Sequence, residues 1–154
     1  MINFLVKFNI SENQFGFRNK LALMIQLKKI IEELDAGNKC LAIFLVIKKA
    51  FNTVNHKMLL EKLYILGIRG DACNLVESYL NNRKQITKID DYFSDALNIN
   101  IGVPQGTVLG PILCLIYIND LLTIDLKKYN GVLYLQADDT VVLFGGKNWE
   151  HTYI

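Results

Sequence analysis

Apolar positions along the chain follow two rhythms, one of three to four residues and one of short unbroken runs. After an irregular start over residues 1–13, Leu21, Met24, Leu27, Ile31 and Leu34 recur at the spacing of one helix face, and Gly37 follows as a stop. Residues 40–46 are a continuous apolar run of strand length, which predicts a strand buried on both faces. Leu59, Leu63 and Leu66 mark a second helix closed by Gly67, and Ala72, Leu75, Val76 and Tyr79 a third that ends before Asn81-Asn82. Two strands are expected over 85–89 and 96–101, joined through the polar turn Asp90-Asp91. The loop Gly102-Val-Pro-Gln-Gly106 leads into an apolar segment, 108–122, which predicts a helix with Pro111 in its first turn, where a missing N–H costs least. Last come two β-rich runs, 132–137 and 140–144, separated by Asp138-Asp139, a tight hairpin with an acidic tip. This order predicts an α+β fold, an antiparallel sheet with helices on one face.

Composition narrows the picture. A chain of 154 residues, 51% hydrophobic and 21% charged, fits one domain with a packed core and excludes disorder. The apolar share is high, which implies either a deeply buried sheet or surface that further parts of a protein cover. The formal net charge of +2 lacks the strongly basic balance of a self-sufficient nucleic-acid binder. Local basic pairs at Lys28-Lys29, Lys48-Lys49, Arg83-Lys84 and Lys127-Lys128 are the ordinary decoration of solvated faces. Cys40, Cys73 and Cys114 are odd in number and widely spaced, as buried thiols of a reducing compartment are, and not as a disulfide frame or a zinc site. The longest apolar stretch contains Gly110 and Pro111 and does not span a bilayer. An intracellular location, cytoplasmic or nuclear, with no membrane partner, is the expectation.

The candidate chemistry sits at Asp138 and Asp139. An Asp-Asp turn is ordinary on its own. Here two apolar strands bracket the pair without glycine or asparagine, aiming adjacent carboxylates from the end of a rigid sheet. Mg²⁺ prefers such hard oxygen ligands, and a two-ion site for phosphoryl transfer needs a further carboxylate from another strand. The end of the 40–46 strand is the place to look for it.

Five blocks carry a resemblance: Gln14-Phe-Gly-Phe-Arg18, Ile43-Phe-Leu-Val-Ile-Lys-Lys-Ala-Phe-Asn-Thr-Val-Asn-His56, Gly102-Val-Pro-Gln-Gly-Thr-Val-Leu-Gly-Pro111, Tyr117-Ile-Asn-Asp-Leu121 and Ala137-Asp-Asp-Thr140. In this order and at these separations the chain resembles the reverse transcriptases of non-LTR (LINE-type) retrotransposons, particularly jockey-like insect elements. The resemblance implies a right-hand polymerase fold, with residues 14–146 as the palm and the last part of the fingers, 147–154 as a tail, and the thumb absent. It implies RNA-templated DNA synthesis by two-metal nucleotidyl transfer, Mg²⁺ as cofactor, and an RNA template, a DNA primer and deoxynucleotides as partners.

Carried over position by position, the resemblance makes Asp138 the metal ligand and Asp139 its accessory. Phe51 takes the place of the bulky residue that screens the ribose 2′-OH. Gln105 and Gly106 belong to the motif against the incoming nucleotide and template base, and Arg18 to a fingers block near the same path. Three departures matter. The family's first motif, Phe-x-Asp-x-x-x-Ala-Phe-Asp, here has Val46 where its first metal-binding Asp stands and Asn52 in place of its last acid, and Gln136 replaces the aromatic residue that precedes the family's paired acids. Valine offers no oxygen, and Lys48, Lys49 and Asn52 are no substitutes, so Mg²⁺ binding is expected to be weak or absent and activity impaired. The alternatives are a non-catalytic retrotransposon remnant, serving as a nucleic-acid or protein binding module, and an unrelated metal-dependent phosphohydrolase, which lacks a histidine or third acid at usable spacing.

Overall fold

A computed structural model describes residues 10–16 and 22–148. In chain order the elements are α1 (Ala22–Asp35), β1 (Lys39–Val46), α2 (His56–Ile65), α3 (Asp71–Leu80), β2 (Arg83–Gln85), β3 (Lys88–Ile89), β4 (Tyr92–Phe93), β5 (Leu97–Ile99), α4 (Leu109–Ile118), β6 (Gly131–Gln136) and β7 (Asp139–Gly146). Short 3-10 turns occupy Ala50–Asn52, Asn119–Thr123 and Lys127–Tyr129. Helices and antiparallel strands mix as an α+β fold requires. The backbone forms two compact units, Met1–Lys48 with Ile118–Ile154, and Lys49–Tyr117.

The first unit is built on a three-stranded antiparallel sheet of order β1-β7-β6. Its core gathers Tyr134, Val141 and Leu143, with Phe15, Ile30, Ala42 and Val132 packed against them. The Phe15 ring stacks on Tyr134 with centroids 6.0 Å apart. The chain around Gln14 runs beside β6: the Phe15 N–H donates to the Leu135 carbonyl at 2.7 Å, and the Leu135 N–H to the Asn13 carbonyl at 3.0 Å. This part of the Gln-Phe-Gly block is therefore sheet structure, with Gln14 fully buried. Two sequence expectations fail here. Residues 40–46 do form a strand, but it is not buried on both faces, because β1 lies at the edge of the sheet with β7 as its neighbour; Phe44 is 71% and Val46 70% exposed. The α1 stripe is likewise open, Met24 being 69% exposed, while Ile30 makes the inward contact.

The second unit begins with α2, whose N-cap Asn55 accepts a hydrogen bond from the Met58 N–H at 3.1 Å. Leu59 and Leu63 of α2 are buried at positions their periodicity marked, whereas α3 buries Leu80 at its end and leaves Leu75 of the expected stripe exposed. The strands that follow differ from the expectation. Residues 85–89 do not form one strand; β2 pairs with β5, and the separate β3 pairs with β4 around the Asp90-Asp91 turn. Asp90 takes a left-handed φ of 53°, which lets the inner hairpin close early. Helix α4 carries Pro111 in its first turn as expected, and Thr107 Oγ1 accepts from the Gly110 N–H at 3.1 Å to cap its start.

Candidate functional site

The acidic hairpin differs by one residue from the sequence expectation. Gln136 pairs with Asp139, so the two-residue loop is Ala137-Asp138 and Asp139 opens β7. Ala137 accepts a left-handed φ of 56°, a conformation that costs a non-glycine residue of order 1 kcal/mol or more and recurs at functional sites. Ladder register then decides what the loop faces. Asp139 pairs on one side with Gln136 and on the other with Val46, the last residue of β1. Cross-strand partners share a face, so Val46, Asp139 and Gln136 form one rung across the sheet end. The Ile47 N–H donates to the Asp138 carbonyl at 3.0 Å, fixing the end of β1 to the loop. Asp139 is exposed and Asp138 half-buried.

The donor set at this end of the sheet is the Asp139 carboxylate, the Gln136 amide and a valine on the rung, with the Asp138 carboxylate in the adjoining loop. Among the described residues no three histidine, cysteine or acidic side chains gather closely enough to hold a metal ion. A bridged pair of divalent ions needs a carboxylate on each of two strands. The position that would supply the second strand's oxygen carries the methyl groups of Val46. The residues present therefore do not fit a two-metal centre.

A second group of sequence candidates assembles within the second unit. The Ala50–Asn52 turn starts after Lys49, which has a left-handed φ of 57°. The Gly102–Val103 backbone docks on it: the Gly102 N–H donates to the Val54 carbonyl and the Val103 N–H to the Phe51 carbonyl, each at 2.7 Å. Gly102 has φ +87°, and a Cβ there would stand 2.9 Å from the Asn52 Cα, so only glycine permits this approach. The docking brings Gln105 to Asn52, and Gln105 Nε2 donates to Asn52 Oδ1 at 2.9 Å. Phe51 and Gln105 are thus neighbours in one loop pair, with Gly106 next at φ +73°. Sequence reading treated Asn52 only as a lost acid. Its partnership with a residue 53 positions away leaves no local signal. His56, the first residue of α2, bonds through Nε2 to the Gly102 carbonyl at 2.7 Å.

Beside this loop pair lies an open pocket of about 630 Å³, lined among others by Asn52, Arg83, Lys84, Gln85, Pro104 and Gln105. The basic pair Arg83-Lys84, taken from sequence as a solvated face, borders it. Arg18 lies outside the described residues. No helix among the described residues is long and apolar enough to cross a membrane.

The family model described as reverse transcriptase (RNA-dependent DNA polymerase) matches residues 1–152. The chain is 33% identical over 138 residues to the "Probable RNA-directed DNA polymerase from transposon X-element" of Drosophila melanogaster, which covers 86% of this chain and 15% of that protein. It is 32% identical over 147 residues to the RNA-directed DNA polymerase from mobile element jockey of the same species, covering 90% of this chain and 16% of the relative. The chain thus spans about a sixth of the length of the curated relatives it matches. Among solved structures it resembles apo telomerase from Candida tropicalis truncated from its C-terminal domain, with a TM-score of 0.68 and 14% identity over 97% of this chain and 34% of that one. At that identity the likeness is one of fold.

Proposed function

The chain belongs to the reverse transcriptase (RNA-dependent DNA polymerase) family, of the non-LTR retrotransposon kind, and from that premise we propose that it is a palm fragment that binds a polynucleotide template but is impaired in nucleotidyl transfer. In this reading Asp138 and Asp139 are the remaining carboxylates of the transfer site. Phe51, Gln105 and Gly106 lie along the template and nucleotide path. An RNA template, a DNA primer and deoxynucleotides are the family's partners.

One observation supports the impairment above all others, the rung in which Val46 stands opposite Asp139. A side chain without oxygen there removes the cross-strand ligand, and metal assistance is worth several kcal/mol to such reactions. At 1.36 kcal/mol per factor of ten, the expected loss is roughly three or more orders of magnitude in rate. Primer extension on an RNA template, with Mg²⁺ or Mn²⁺, tests it. No incorporation above a protein-free control is expected, and sustained extension by the unaltered chain would refute the proposal.

A further inference from the structure

We propose that the pocket between Asn52–Gln105 and Arg83–Lys84 is a phosphate-and-base site for a single-stranded polynucleotide, and that the neutral amide of Asn52 keeps it open to an anion. The inference rests on the template-binding reading above and adds to it a ligand-holding role for three residues, Asn52, Arg83 and Lys84, that the family resemblance did not supply.

The pocket's charge is one-sided. Arg83 and Lys84 line it, no aspartate or glutamate does, and among the described residues neither cation pairs with a carboxylate. Surface cations that serve only solubility are commonly interspersed with acids. Arg83 is also held in place. Its guanidinium lies 5.5 Å above the Tyr79 ring, and the Tyr79 hydroxyl is anchored by donating to Thr107 Oγ1 at 2.9 Å. A guanidinium positioned in this way retains its fork of N–H donors for phosphate oxygens.

The opposite wall offers amides. Asn52 Oδ1 is engaged by Gln105 Nε2, which leaves the Asn52 amide N–H donors and Gln105 Oε1 as a neighbouring donor and acceptor. That pairing matches the edge of a nucleobase, and the cavity volume of about 630 Å³ accommodates a nucleotide-sized group. Aspartate at 52, the residue type of the family motif, would still accept from Gln105. It would, however, put a full negative charge in the wall and lower the pocket's formal charge from +2 (Arg83 and Lys84) to +1. Asparagine thus keeps the brace on Gln105 while leaving both cations uncompensated.

The test is fluorescence anisotropy of a short labelled single-stranded RNA with the full chain, repeated at rising salt. Arg83→Gln/Lys84→Gln is expected to bind about tenfold more weakly and to flatten the log–log salt dependence by roughly 0.7 for each phosphate the variant no longer neutralises. Asn52→Asp is expected to weaken binding severalfold with its thermal melt unchanged. The control Lys28→Gln/Lys127→Gln, with the same change of net charge outside the pocket, is expected to bind like the unaltered chain. Binding by the unaltered chain with no response to the pocket variants overturns this site and leaves the template-binding reading standing. An unaltered chain that binds no RNA even at low salt overturns both.

Discussion

At position 46 a branched aliphatic side chain stands 70% exposed on the sheet rim, directly across the ladder from Asp139. Paired positions in an antiparallel ladder place their Cβ atoms about 4.5–5.5 Å apart, so a carboxylate at 46 would share a cation with that of Asp139. Val46→Asp is therefore expected to raise Mn²⁺ affinity about tenfold or more, the effect of one added hard oxygen ligand. Titration calorimetry decides it, and equal affinity in both proteins would show that the rung does not form a cation site. Gly102 governs the other candidate group. Its left-handed backbone and its 2.9 Å approach to the Asn52 Cα leave no room for a methyl, so Gly102→Ala is expected to cost about 1–3 kcal/mol in urea unfolding. An unchanged midpoint would mean that the loop docks differently. Val46 and Asp138-Asp139 were visible in the sequence as chemistry. That Asp139 rather than Asp138 faces position 46 was not, because a one-residue difference in loop boundary is decided by backbone pairing.

Among elements, the junction of α1 and β1 shows how local charge supports the sheet. Glu33 accepts from Asn38 Nδ2 at 2.8 Å and pairs with Lys29 at 3.2 Å. The Asn38 hydrogen bond first, and Lys29 second, hold the Glu33 carboxyl below its usual value of 4.5, while the bond to Glu33 raises Lys29. A depressed carboxyl stabilises the fold fully above its unfolded value and loses that contribution as pH falls through the folded one. The chain is thus expected to lose more stability than Glu33→Gln in thermal melts as pH falls below 4.5, by a small amount because the pair is at the surface. Parallel pH curves for the two proteins would contradict this. The helices were legible because periodicity over ten or more residues averages out local noise, and α2 and α3 end where Gly67 and Asn81 follow. The 83–99 region was misread because two-residue strands carry too little pattern to separate an inner hairpin from an outer one.

For the whole molecule, the high apolar share resolves into surface. Phe44, Leu45 and Val46 lie exposed along edge strand β1, where backbone groups invite pairing with another strand. The chain is expected to associate with rising concentration in sedimentation velocity, and Phe44→Lys/Leu45→Lys to suppress that association. A monomer at every concentration would show this edge to be protected. The sequence by itself determined the family, the α+β class, the helix positions and the presence of valine at 46, since these rest on ordered motifs, local periodicity and residue identity. Only the tertiary structure decided that β1 is an edge, that Val46 meets Asp139, and that Asn52 braces Gln105 beside Arg83. Those are contacts between segments far apart in the chain, fixed by strand register and by how closely two backbones can approach, and no local stretch of sequence encodes them.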